Sequence, residues 1–282
     1  MTPLVVLSHF QTDALFDAHK RGDRQVDCSL NLGLTTMPLA LDDDGLVLPN
    51  GFTLSWKQLQ QISETKSVCF RFVGNGIEPV RGYSQQFNRA HHLMPTRHAP
   101  TLVISGFAMH RFRDVDPAQG AAQMVKCLEP LRGRHLDTAT GLGYAAIAAA
   151  TSAQEVVTIE LDPMSQEMAA LNPWSSELFS NANITRLLGN SCELIQTFDS
   201  ESFSTVLHDP PAINLAGEMY SGQMYHQLAR VLNRKGRLFH YIGDPHSASG
   251  SRTTKGVMRR LMEVGFSRIV AKPEAFGVIA YK

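Results

Sequence analysis

The sequence predicts an α/β protein in which a doubly wound sheet follows a smaller β-rich region. Three observations predict it. From residue 117 onward, short apolar runs ("RHLDTA", "EVVTIEL", "STVLHDP", "GRLFHYIG", "FSRIVAK", "GVIAY") alternate with helix-like stretches. That alternation is the pattern of a sheet covered by helices on both faces. Residues 134–150, "RHLDTATGLGYAAIAAA", run from an apolar segment through two close glycines into an alanine-rich stretch, a strand–turn–helix. Residues 1–113 have a different texture, with apolar alternation broken by Asp44-Gly45 and Asn50-Gly51, dipeptides that favour tight hairpins.

The chain of 282 residues is long enough for one large or two modest domains, and the boundary is placed at 113/114. Lys plus Arg and Asp plus Glu both number 26, so net charge gives no reason to expect nonspecific nucleic-acid or membrane binding. Cys28, Cys69, Cys127 and Cys192 form no C-x-x-C pair. They read as reduced thiols of a cytoplasmic protein rather than a zinc site or a disulfide framework, and no metal is expected. The first residues make a poor signal peptide, and no apolar run approaches membrane-spanning length.

Within the first region, "SWKQLQQISE" reads as a short helix with Ser55 as N-cap. "SVCFRFVG" and "TLVISGFAMHRF" each read as one strand. In the second region, Asp137 falls at a strand end, and Gly141 and Gly143 allow the following turn to approach a ligand. The dinucleotide frame G-x-G-x-x-G would fall on Ala139, Gly141 and Tyr144, so that fingerprint is not met.

Asp137-Thr138-Ala139-Thr140-Gly141-Leu142-Gly143 resembles the first motif of class I S-adenosylmethionine-dependent methyltransferases, acid-x-G-x-G-x-G, with Ala139 for the first glycine. The resemblance implies a Rossmann-like methyltransferase domain over 114–282 with S-adenosyl-L-methionine as cofactor. Asp137, Ala139, Gly141 and Gly143 would cradle it. Glu160, closing the next apolar run, would accept from the ribose hydroxyls, with Asp162 as the alternative. Asn190 stands where the family often has an aspartate toward adenine, and reads equally as a helix cap. Trp174 would either line the adenine pocket or pack at a helix end.

After a further apolar run comes His208-Asp209-Pro210-Pro211-Ala212. The prolines fix φ and remove two donors, so the turn can present carbonyls and the Asp209 carboxylate to an amine. It resembles the D-P-P-aromatic motif of amino-methyltransferases, with Ala212 in place of the aromatic residue; Tyr220 or Tyr241 would have to supply a ring face. The expectation is transfer to an amine or other nitrogen nucleophile, with Asp209, Pro210 and Pro211 positioning it and His208 or His240 accepting the proton. Asp209 could instead only cap its turn. Several segments together resemble a group of predicted archaeal and bacterial methyltransferases labelled spermidine-synthase-like. An aminopropyltransferase using decarboxylated S-adenosylmethionine is therefore the alternative, and a non-catalytic nucleoside-binding module the second. The β-rich region would cover the acceptor or make a homodimer.

Overall fold

The structure is a computed structural model describing residues 4–213, 215–245 and 247–282. By internal contacts the chain forms two units, Met1–Pro117 with Met164–Ser176, and Ala118–Pro163 with Glu177–Lys282.

The first unit carries short antiparallel strands and two capped helices. Trp56–Glu64 is a helix as expected, and Ser55 caps it in a reciprocal box with Gln58. The helix His9–Arg21 was not expected from the sequence. It buries only Thr12, Leu15 and Ala18, too narrow a stripe to dominate the apolar pattern. Its legible sign was local: Ser8 and Gln11 form another capping box. "TLVISGFAMHRF" is a hairpin rather than one strand. Thr101–Ile104 pairs antiparallel with Phe107–Ala108. The turn between them places Ser105 and Gly106 at positive φ, the geometry that suits strand twist. Leu15, Leu46, Leu54, Leu59 and Ile62 form the buried centre of this unit.

The second unit is built on a seven-stranded sheet. In chain order its strands are β1 (Arg134–Asp137), β2 (Glu155–Glu160), β3 (Ile184–Leu188), β4 (Phe203–His208), β5 (Leu232–Tyr241), β6 (Arg268–Lys272) and β7 (Gly277–Tyr281). The spatial order is β3-β2-β1-β4-β5-β7-β6. β1 to β5 run parallel, and β7 is antiparallel to both β5 and β6. β2 and β4 are buried along almost their whole length, which is why they read as near-continuous apolar runs. β3 escaped the sequence reading because it is an edge strand, with Thr185, Arg186 and Leu188 exposed.

One face of the sheet is covered by the helix Gly222–Val231. Ser221 caps it by accepting from the Met224 amide, and Met224, Tyr225, Leu228 and Val231 turn inward. They pack with Leu136, Val206 and Leu238 of the strands and with Val257 and Leu261 of the helix Ala248–Glu263. Leu228 is completely buried in this layer. Leu228→Ala should lower stability by about 2–5 kcal/mol through lost transfer energy and the cavity left behind. Urea unfolding checks this; a loss well under 1 kcal/mol would mean that the helix does not anchor the sheet.

Candidate active site

Strand order reverses between β1 and β4, since the chain leaves β1 toward β2 and leaves β4 toward β5. A crevice outside the carboxyl ends of the strands at such a point is where doubly wound sheets hold ligands. Asp137, Glu160, His208 and Tyr241 all stand at those strand ends.

The turn after β1 is held by two carboxylates. Asp137 is fully buried; its Oδ2 accepts from Thr158 Oγ1 at 2.8 Å and its Oδ1 from the Ala139 amide at 3.3 Å. Thr140 Oγ1 lies 2.6 Å from Thr158 Oγ1. Because the Thr158 hydroxyl donates its one proton to Asp137, Thr140 must be the donor to Thr158. Glu160 Oε2 accepts from the Gly141 amide at 2.8 Å, and its Oε1 from the Asp162 amide at 3.0 Å. Burial pushes the carboxyl groups of Asp137 and Glu160 up to about 7.

Both glycines have positive φ, for different reasons. A Cβ at Gly143 would lie 2.6 Å from Leu178 Cδ2, whereas one at Gly141 would meet nothing within 4 Å. Gly141 is therefore a conformational requirement beside open space, and Gly143 a packing requirement as well.

Asn190 uses its Oδ1 to cap the helix Ser191–Leu194, accepting from the Cys192 amide at 2.8 Å. Its Nδ2 donates to Glu218 Oε1 at 3.2 Å. The capping role is thus filled, with one lone pair of Oδ1 left over. Trp174 belongs to the first unit, where its indole N–H donates to the Leu32 carbonyl at 3.1 Å.

On the other side of the crevice, Asp209 is half-buried, and its carboxylate has no hydrogen-bond partner among the described residues. Burial, with the charge of Asp137 added, raises its carboxyl to about 7. It is followed by buried Pro210 and half-buried Pro211. Tyr220, also buried, donates from its hydroxyl to the Pro210 carbonyl at 3.4 Å. Tyr241 ends β5 with part of its surface exposed.

His208 and His240 were expected to offer a proton acceptor. The structure gives both imidazoles no exposed surface and other partners. His208 bonds Thr138 Oγ1 through Nδ1 and the Met219 carbonyl through Nε2. His240 Nε2 lies 3.0 Å from the Tyr225 hydroxyl, and its Nδ1 is buried with no hydrogen-bond partner within normal reach among the described residues. Burial lowers His208 to about 4 and carries His240 well below the ordinary imidazole value. Both rings are neutral near pH 7 and walled in. The sequence reading missed Thr138, Thr158 and Ser191. A polar residue in the middle of the buried run "EVVTIE" was the available sign for Thr158.

No family model matches the chain. Uncharacterized protein MJ1233 of Methanocaldococcus jannaschii is 42% identical over 197 residues, covering 69% of this chain and 68% of that protein. The chain belongs to the MJ1233 family. Among solved structures, a spermidine synthase bound to the transition-state analogue AdoDATO superposes with a TM-score of 0.59 at 15% identity, covering 71% of each chain. Spermidine synthase from Thermotoga maritima gives 0.57 at 15% identity over 71% of this chain and 70% of its own. MnmC2 from Aquifex aeolicus gives 0.51 at 17% identity over 70% and 72%. These likenesses show the fold: this MJ1233-family chain has the Rossmann-like α/β fold of these spermidine synthases and of MnmC2.

The raised carboxyl groups imply a pH dependence. Unfolded, Asp137 and Glu160 return to about 4, so the folded state binds more protons between roughly pH 4 and 7. Their stabilising contribution is complete below that window and is lost as pH rises through about 7. Urea unfolding of wild type and Glu160→Gln should show the wild type losing ground to the variant from about pH 4 to 7. A stability difference that stays flat across this range would show that Glu160 is not raised by burial.

Proposed function

We propose that the chain is an S-adenosylmethionine-dependent methyltransferase acting on an amine or other nitrogen nucleophile. The observation that carries this reading is the Asp209 carboxylate. Among the described residues it has no hydrogen-bond partner, and it stands at the exit of β4, ahead of two prolines and within reach of the charge of Asp137, which fixes the glycine turn. An unpartnered, half-buried carboxylate costs stability and persists most readily where a ligand donor meets it.

When bound, S-adenosylmethionine supplies an electrophilic methyl on a sulfonium. Gly141 and Gly143 keep the turn low enough for a nucleoside to lie along it, with Asp137 and the Ala139 amide fixing the turn from beneath. Each oxygen of Glu160 spends one acceptor site on a backbone N–H and keeps another for a ribose hydroxyl. Asn190 Oδ1 keeps one lone pair for the adenine amino group. Asp209 would hold the acceptor nitrogen through its N–H, leaving the lone pair free to attack, and would take up the proton released on transfer. The Pro210 and Pro211 carbonyls are the further acceptors of that turn. Aminopropyl transfer is the second reading, favoured by the fold shared with spermidine synthases.

Melting temperature with each donor separates the readings. S-adenosylmethionine at about 100 times its Kd should stabilise the fold by about 2.7 kcal/mol. A shift with the decarboxylated donor alone would point to aminopropyl transfer, and no shift with either would remove the donor site. Glu160→Ala should weaken donor binding by about 1.5–3 kcal/mol, the range for bonds to a charged group. Calorimetry showing wild-type affinity in that folded variant would move the ribose contact elsewhere.

Asp209→Asn tests the chemistry. It should keep donor affinity yet lose on the order of 10²–10⁴-fold in turnover of labelled donor with cell extract as acceptor source. Full turnover per folded molecule would reduce Asp209 to a turn cap.

A further inference from the structure

We infer that His208 is a positioning residue that couples the glycine turn to the acceptor-side segment Gly217–Tyr220, an inference that rests on the donor-binding reading above. Nε2 of His208 lies 2.9 Å from the Met219 carbonyl. A carbonyl only accepts, so Nε2 carries the ring proton and donates it. The neutral ring then has its lone pair on Nδ1, and Thr138 Oγ1, 2.8 Å away, donates to it. The carbonyl of Thr138 in turn accepts from Ser191 Oγ at 2.6 Å.

These contacts thus join the start of the helix Ser191–Leu194, the turn after β1, the end of β4 and Met219. Ser191, Thr138, His208 and Met219 are all buried. Water cannot replace a lost partner there, so the groups at either end of a broken link would be orphaned. Met219 is followed by Tyr220, whose hydroxyl rests on the Pro210 carbonyl and whose ring lies 5.5 Å from that of His240. Shifting the Met219 carbonyl therefore moves the group that covers an acceptor of the Asp209-Pro210-Pro211 turn. Gly217–Tyr220 is a short 3-10 turn whose own backbone bonds are Met219 N–H to the Ala216 carbonyl at 3.0 Å and Ser221 N–H to the Glu218 carbonyl at 3.1 Å, so its tie to the sheet runs through side chains, Asn190 to Glu218 and His208 to Met219. Whatever orders the glycine turn therefore acts on this segment through Thr138 and His208. A purely structural histidine would stabilise the fold equally with or without a ligand on the turn.

Hydrogen–deuterium exchange over residues 217–224, with S-adenosylhomocysteine as the probe at saturation, tests this. In the wild type the probe should slow exchange about fivefold or more, the low end of usual coupling between sites. Thr138→Val keeps the shape but removes the hydroxyl; with the probe bound, exchange should be roughly as fast as without it. Thr138→Ser restores the hydroxyl and should restore the slowing. Undiminished slowing in Thr138→Val, loss of it in a folded Thr138→Ser, or none in the wild type with probe bound would each overturn the coupling while leaving the donor site intact. Failure of the wild type to bind the probe at all by calorimetry would overturn the donor reading itself, and the coupling with it.

Discussion

The candidate site depends on one interaction, the hydrogen bond from the Gly141 amide to Glu160. It joins the carboxyl end of β2 to the turn leaving β1, two elements whose parallel pairing already sets Asp137 opposite Thr158. With the other Glu160 oxygen satisfied by the Asp162 amide, the carboxylate sits as a fixed post between two loops. The positive φ of Gly141, the close packing of Gly143 on Leu178 and the Thr140–Thr158–Asp137 hydroxyl chain all take their places around it. A buried carboxylate is expensive unless its acceptor sites are met, and here one backbone amide on each oxygen offsets part of that cost without introducing a cation.

Much of the sheet was legible because parallel strands covered on both faces leave unbroken apolar runs. β2 and β4 could be read directly from "EVVTIE" and "FSTVLH". β3 could not, because an edge strand has no second cover to demand apolar residues and "ITRLL" carries Arg186 in its middle. In the first unit, composition suggested strands while the helix His9–Arg21 was marked only by its cap. The hairpin at Ser105-Gly106 was hidden because apolar residues continue on both sides of the turn.

The site shows a similar division. Asp137, Gly141, Gly143, Glu160 and Asp209 could be picked out because each ends an apolar run or breaks one, and the topology gathers such positions at one edge of the sheet. What the sequence could not show was pairing between distant residues. Thr158 with Asp137 links two strands and Thr138 with His208 links a turn to a strand end, and neither has a local pattern. The histidines at 208 and 240 illustrate the limit: their strand-end positions were legible, but not the partners that occupy them.

Burial also exchanges the customary roles of acids and imidazoles. With His208 lowered to about 4 and Asp137, Glu160 and Asp209 each raised to about 7, the groups that gain or lose protons near neutrality are carboxyls. For Asp209 burial is the larger cause, and the charge of Asp137 adds to it. With carboxyl groups held near neutrality at these strand ends, a cationic guest beside them would favour release of a proton to solvent, and an anionic one uptake.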